Sequence, residues 1–319
     1  MPVEARHSAL RIVARLANGF VLDMVRHAAL GRDVQDTVLL AAISQGNLGA
    51  ITCDPELQRR FATLKTPIDD TLRRPISISA VAGSLRMPFE TARRRITRLA
   101  EFGVVEVSGR GVIVTSGPLA STVYDAAAQA NYDLVRRLHE RLVAMGLDPP
   151  APPSGSGFSQ ANPPVRLVAR LSLDYALRVV EPIATHLGDL VAGMILMGLI
   201  DANTHHLPAD PAADAALDLG PEGFPADHLR RPIRLTDLAR NLGLPVETAR
   251  RKMARLVARG LCIRLADGYI VPGHVLAREP LWTIMQDNRT QLLRLFTTLG
   301  EHGVLSFWRT EAEVLRGAA

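Results

Sequence analysis

Lysine is nearly absent from this sequence: Lys65 and Lys252 are the only two among 37 basic residues. Arginine therefore carries almost all the positive charge, and arginine is the better fork for phosphate and guanine. Aromatic residues make up only 4 % of the chain. The core must then be built largely from Ala, Leu, Val and Ile, a palette that suits helices. Cysteine occurs twice, at Cys53 and Cys262, with no CxxC. That excludes a disulfide framework and fits a reducing cytoplasm. No apolar run approaches the roughly 20 residues a membrane span needs. The most apolar stretch, LVAGMILMGLI (190–200), lies between Asp189 and Asp201 and reads as a buried helix. The opening segment is charged and amphipathic, without a signal-peptide layout. No phosphate loop, GxSxG or paired-carboxylate scaffold appears, so the sequence supports no enzyme and calls for no cofactor. His205-His206 with His186 lacks a ligand-like spacing to Cys or acid and reads as a surface pair, not a metal site.

What is present is a repeat. Arg73–Val107 aligns without gaps on Arg230–Arg264, with 15 identities in 35 positions. RRPI matches RRPI, and L-x-x-P-x-ETARR is followed in both by R-L-x-x-x-G. Upstream the echo is weaker: RIVARL (11–16) against RLVARL (166–171), and DVQDTVLLAAISQGN (33–47) against DLVAGMILMGLIDAN (189–203). Such internal periodicity signals one structural unit used twice. The expected organisation is a first repeat over 1–145, a flexible linker over 146–164 and a second repeat over 165–319. The linker, GLDPPAPPSGSGFSQANPP, is too rich in Pro, Gly and Ser to bury a core. The segment 207–227 is an insertion in the second repeat with five acids and no base, expected as a mobile, solvated loop.

Each repeat reads as a short strand (Ile76–Ile78, Ile233–Leu235), a short helix capped by Ser79 or Thr236, a tight turn, a second helix and a hairpin. Pro88 and Pro245 are expected at the first position of the second helix, and Gly103 and Gly260 at its left-handed stop. The turn has Arg86 in one repeat and Gly243 in the other, so the two turns are expected to differ. Long helices should flank each unit, over about 8–30, 119–145, 166–187 and 276–298.

The stretches ISISAVAGSLRMPFETARRRITRLAEFGVVEV and IRLTDLARNLGLPVETARRKMARLVARGLCIR resemble bacterial winged helix-turn-helix transcription regulators, the broad group of MarR-, GntR- and Crp-like domains. The resemblance covers about 45 residues per repeat. It implies a mainly α fold with small β-hairpin wings: two tandem winged helix-turn-helix domains, at about 75–116 and 232–273, flanked by long helices. It also implies that the second helix of each motif enters the major groove while the hairpin touches the flanking backbone.

Helical spacing sorts the second helix. Phe89, Ala92, Ile96 and Leu99 share one face, as do Val246, Ala249, Met253 and Leu256, and these faces should pack inward. The opposite face carries Glu90, Thr91, Arg94 and Arg98, or Glu247, Thr248, Arg251 and Arg255. Arg94 and Arg251 are the candidate base readers, with Thr91 and Thr248 near the helix start. Arg93, Arg95, Arg98, Arg250, Lys252 and Arg255 are candidates for phosphate contacts that set register. At the wing tips Arg110 suits a minor groove and Asp267 does not, so the first repeat should bind DNA more strongly.

The expected function is sequence-specific DNA-binding transcription regulation in the bacterial cytoplasm, at the nucleoid. Double-stranded DNA is the expected partner, read by an intramolecular pseudo-dimer. A homodimer of duplicated chains stays open, as does any small-molecule effector. The alternatives are a tandem winged-helix chromosome-segregation or interaction protein, and a plasmid replication initiator.

Overall fold

The computed structural model describes residues 3–147 and 157–317. The Pro-rich centre of the expected linker, 148–156, lies outside the described residues. The chain is mainly helical, with two small antiparallel sheets of two strands each. No single helix is long and apolar enough to cross a membrane.

In chain order the first half runs α1 (Val3–Ala29), α2 (Val34–Asn47), α3 (Gly49–Thr52), α4 (Pro55–Arg60), α5 (Ile78–Ser84) and α6 (Phe89–Glu101). Strands β1 (Val105–Ser108) and β2 (Gly111–Val114) follow, then α7 (Ser116–Leu119) and α8 (Thr122–Ala144). The second half gives α9 (Val165–Leu187), α10 (Leu190–Thr204), α11 (Pro211–Ala215), α12 (Leu235–Asn241) and α13 (Val246–Ala258). Strands β3 (Ile263–Leu265) and β4 (Gly268–Ile270) precede α14 (Gly273–Leu276), α15 (Leu281–Glu301) and α16 (Val304–Gly317).

The compact units do not coincide with the repeats. One comprises residues 1–37 and 178–291, the other 38–177 and 292–319. The first helix of the chain therefore belongs with the helices and hairpin of the second repeat. The start of α9, its sequence counterpart, belongs with those of the first.

Within its own unit each hairpin hangs from a buried asparagine. Asn47 ends α2 and is fully buried. Its Nδ2 donates to the carbonyls of Arg74 (2.8 Å) and Val112 (2.9 Å), and its Oδ1 accepts from Val114 N (2.8 Å). Asn203 in α10 repeats the set with Arg231 O (2.7 Å), Tyr269 O (3.1 Å) and Val271 N (2.9 Å). Each side chain gives a partner to two backbone groups and a second bond to a carbonyl that already accepts from Ile76 N or Ile233 N. Arg73 and Arg230, the first arginines of the two RRPI motifs, are buried as well. Each donates from Nε to an aspartate three residues earlier, Asp70 (3.0 Å) or Asp227 (3.1 Å). Those aspartates in turn accept from the backbone N of Ser116 (3.2 Å) or Gly273 (2.8 Å).

Several expectations need correction. Ile76 and Ile233 form single bridges to Val112 and Tyr269 rather than strands. The short helix begins earlier than expected, so Ser79 and Thr236 lie inside it. Ser77 is the cap of α5, accepting from Ala80 N at 3.1 Å, and Arg234 at the matching position caps α12 without a side-chain bond. Pro88 and Pro245 occupy the cap position itself, with extended ψ near 130°, and not the first helical turn. The turns do not differ: Arg86 adopts φ 51° and Gly243 φ 62°. The first repeat accepts a left-handed non-glycine residue there, a conformation costing roughly 1–2 kcal/mol. Gly111 and Gly268 are required by crowding. A Cβ on Gly111 would lie 2.6 Å from the Ile76 carbonyl oxygen, and one on Gly268 would strike that of Ile233.

The acidic insertion is also anchored. Asp214 is completely buried in α11. It accepts from Ser8 Oγ (2.7 Å), Arg11 Nη2 (2.8 Å) and Arg15 Nη2 (2.9 Å), all on α1. One buried and one half-buried guanidinium need a counter-charge, and the insertion supplies it.

Candidate nucleic-acid interface

The candidate interface is built on α6 and α13. Ala92, Ile96 and Leu99 are buried along α6, and Ala249, Met253 and Leu256 along α13. These stripes at 3.6 periodicity dock each helix and leave the opposite face in water. Phe89 and Val246 depart from expectation: they are 48 % and 39 % exposed. Each is the first residue of its helix, directly after the proline at the cap.

Arg93, Arg94 and Arg98 are exposed on α6, as are Arg250, Arg251 and Arg255 on α13. Thr91 and Thr248 are half-buried at the helix starts. Arg93 pairs with Glu90 and Arg250 with Glu247, each at 2.9 Å one turn away. The Glu90 bond raises the Arg93 pKa. Such exposed pairs are weak in water and readily exchanged for a phosphate.

Two of the phosphate candidates are placed differently. Lys252 Nζ pairs with the carboxylate of Asp189, whose other oxygen caps α10 through Ala192 N at 2.8 Å. The lysine flanks the buried stripe and is turned toward α10, with its side chain 13 % exposed. Lys252 is therefore a structural cation. Arg95, at the matching position of α6, is half-buried too. Neither belongs to the exposed set.

Arg110 and Asp267 are both exposed in the two-residue turns of the hairpins, which pair Ser108 with Gly111 and Leu265 with Gly268. Further exposed arginines, which helical spacing does not single out, flank these helices in sequence: Arg74 and Arg86 in the first repeat, Arg231, Arg234, Arg240 and Arg264 in the second. RRPI carried the signal, because its two arginines divide into one buried structural residue and one exposed. The second hairpin thus carries positive charge on its strand at Arg264 instead of at its tip.

The remaining sequence candidates stay apart from chemistry. Cys262 is buried, its thiol pushed up to about 11 by burial and lying 3.6 Å from Met253 Sδ. His206 contacts the Leu229 carbonyl at 2.9 Å and stacks edge-on to His205. Among the described residues no three His, Cys, Asp or Glu side chains gather as a metal site would need. No protein-family model, curated protein or solved structure matches the chain.

Proposed function

We propose that the chain is a sequence-specific DNA-binding regulator carrying two winged helix-turn-helix modules, α5–β2 and α12–β4. One observation supports the reading above the others. Both arginine-rich helices keep a buried Ala–(Ile/Met)–Leu stripe and present the same exposed arginines, beside a half-buried threonine, after a left-handed turn. A solvated helix has no need to repeat that face. Arg94 and Arg251 are the base readers, reaching guanine edges with a bidentate fork. Arg93, Arg98, Arg250 and Arg255 hold phosphates. Arg110 enters the flanking minor groove.

Genome-wide occupancy followed by footprinting tests this reading. Two protected half-sites are expected, unequal because the wing tips differ. Substituting Arg94 and Arg251 together should abolish preference for the occupied sequence and leave salt-dependent, non-specific binding. A double variant that binds its site as the parent does would remove the assignment and favour a protein-interaction role.

A further inference from the structure

The insertion over 207–227 takes no part in the arginine-rich faces, yet it is held in place along its length. Leu219 bridges Pro225, and Gly220 N donates to Phe224 O at 2.8 Å, closing a tight turn. Arg11 Nη1 holds that turn through Gly223 O at 2.8 Å, while Asp214 ties the earlier part of the segment to α1. The turn carries Phe224 inward. Its ring is buried and meets Trp282 edge-on, with the centroids 6.1 Å apart.

Phe224 and Pro225 wall a cavity inside the unit formed by residues 1–37 and 178–291, among α1, the end of α9, α10 and α15. Its volume is about 80 Å³. That is several times the roughly 10–15 Å³ a single water requires. The rest of the wall is apolar as well, with Ile183, Leu196, Ile200, Ile284 and Met285 on it. Met197 lines it too, and the unbranched side chains of two methionines adapt to the shape of an occupant.

The polar side chains on the border are directed to protein partners. Asn18 Nδ2 donates to Met197 O at 3.0 Å, and Thr204 Oγ1 to Ile200 O at 2.6 Å. Arg11 and Arg15 are held by Asp214, and Arg230 by Asp227. A charged or strongly polar guest would lose its water here without gaining a partner. An apolar chamber of this kind stays dry and takes up small hydrophobic molecules.

We propose that this cavity is a binding site for a small, uncharged, hydrocarbon-like molecule, and that the insertion serves to wall it. No residue named on its wall belongs to the DNA-facing set, so the site is independent of the proposed function.

Benzene is the probe, with benzoate as the charged comparison of similar size. Thermal unfolding of the full chain should shift upward with benzene concentration, as a ligand of the native state requires. Benzoate at the same concentrations should give a markedly smaller shift. Ile284→Trp, which fills the chamber from a half-buried position, should abolish the benzene shift while leaving the unliganded Tm within a few degrees of the parent. If that variant is itself unstable, Ala14→Leu makes the same test from α1. No benzene shift in the parent would overturn the proposal. So would an equal shift by both probes, or a benzene shift that survives in a folded cavity-filled variant.

Discussion

The two units solve one problem with different chemistry. In one, Arg11 and Arg15 of α1 converge on the buried carboxylate of Asp214. In the other, the matching Arg170 gives both Nη groups to the carbonyls of Phe61 (2.7 Å) and Gln58 (2.9 Å). Burial without a carboxylate depresses its pKa to about 10. On nearly the same RxVARL segment, Arg15 is neutralised by an acid while its counterpart Arg170 is held by backbone carbonyls. A repeated sequence therefore fixes which side chains need partners, and an insertion can supply those partners locally.

The largest test of this contrast is Asp214→Ala. It leaves buried Arg11 and half-buried Arg15 without their carboxylate and should cost about 3–5 kcal/mol. Hydrogen exchange should accelerate across α10 far more than across α2. Equal acceleration in both would show that the units do not differ in the way described. Next come Asn47→Ala and Asn203→Ala, each leaving two backbone groups without a partner and a third with only its bridge bond, at about 2–3 kcal/mol in all. Here the units should respond alike, and urea denaturation will show whether they do.

Smaller effects separate the two faces. Arg94→Ala and Arg251→Ala should each cost about 1–3 kcal/mol of binding to the cognate site and relax specificity at one position. Asp267→Arg should tighten binding and steepen the salt dependence by about one phosphate contact, bringing the second hairpin nearer the first. At the bottom of the scale stand the turns. Arg86→Gly should stabilise by up to about 1 kcal/mol and Gly243→Ala destabilise by a similar amount, both read by thermal melts.

The sequence carried much of this plainly. The helices, the repeat, the docking stripes of α6 and α13 and the hairpins follow from period and punctuation. Asn47 and Asn203 even stand at matching ends of aligned segments, but a single asparagine does not announce that it will hold three backbone groups. Arg73 and Arg230 were hidden because RRPI gives no cue to which arginine turns inward. Asp214 sits among four other acids in a segment whose composition suits a solvated loop. The make-up of the units was beyond reach for another reason. The apolar stripes of α1 and α9 are nearly interchangeable, so spacing cannot say which module each one joins.

That exchange has a consequence for the order of events as the chain is made. Arg11 meets Asp214, 203 residues later. At roughly 5–20 residues per second, α1 leaves the ribosome about 10–40 s before its counter-ion exists. Through that interval its apolar stripe and two arginines have no native seat. The nascent first helix must be kept from aggregation or from a neighbouring copy until the second half arrives.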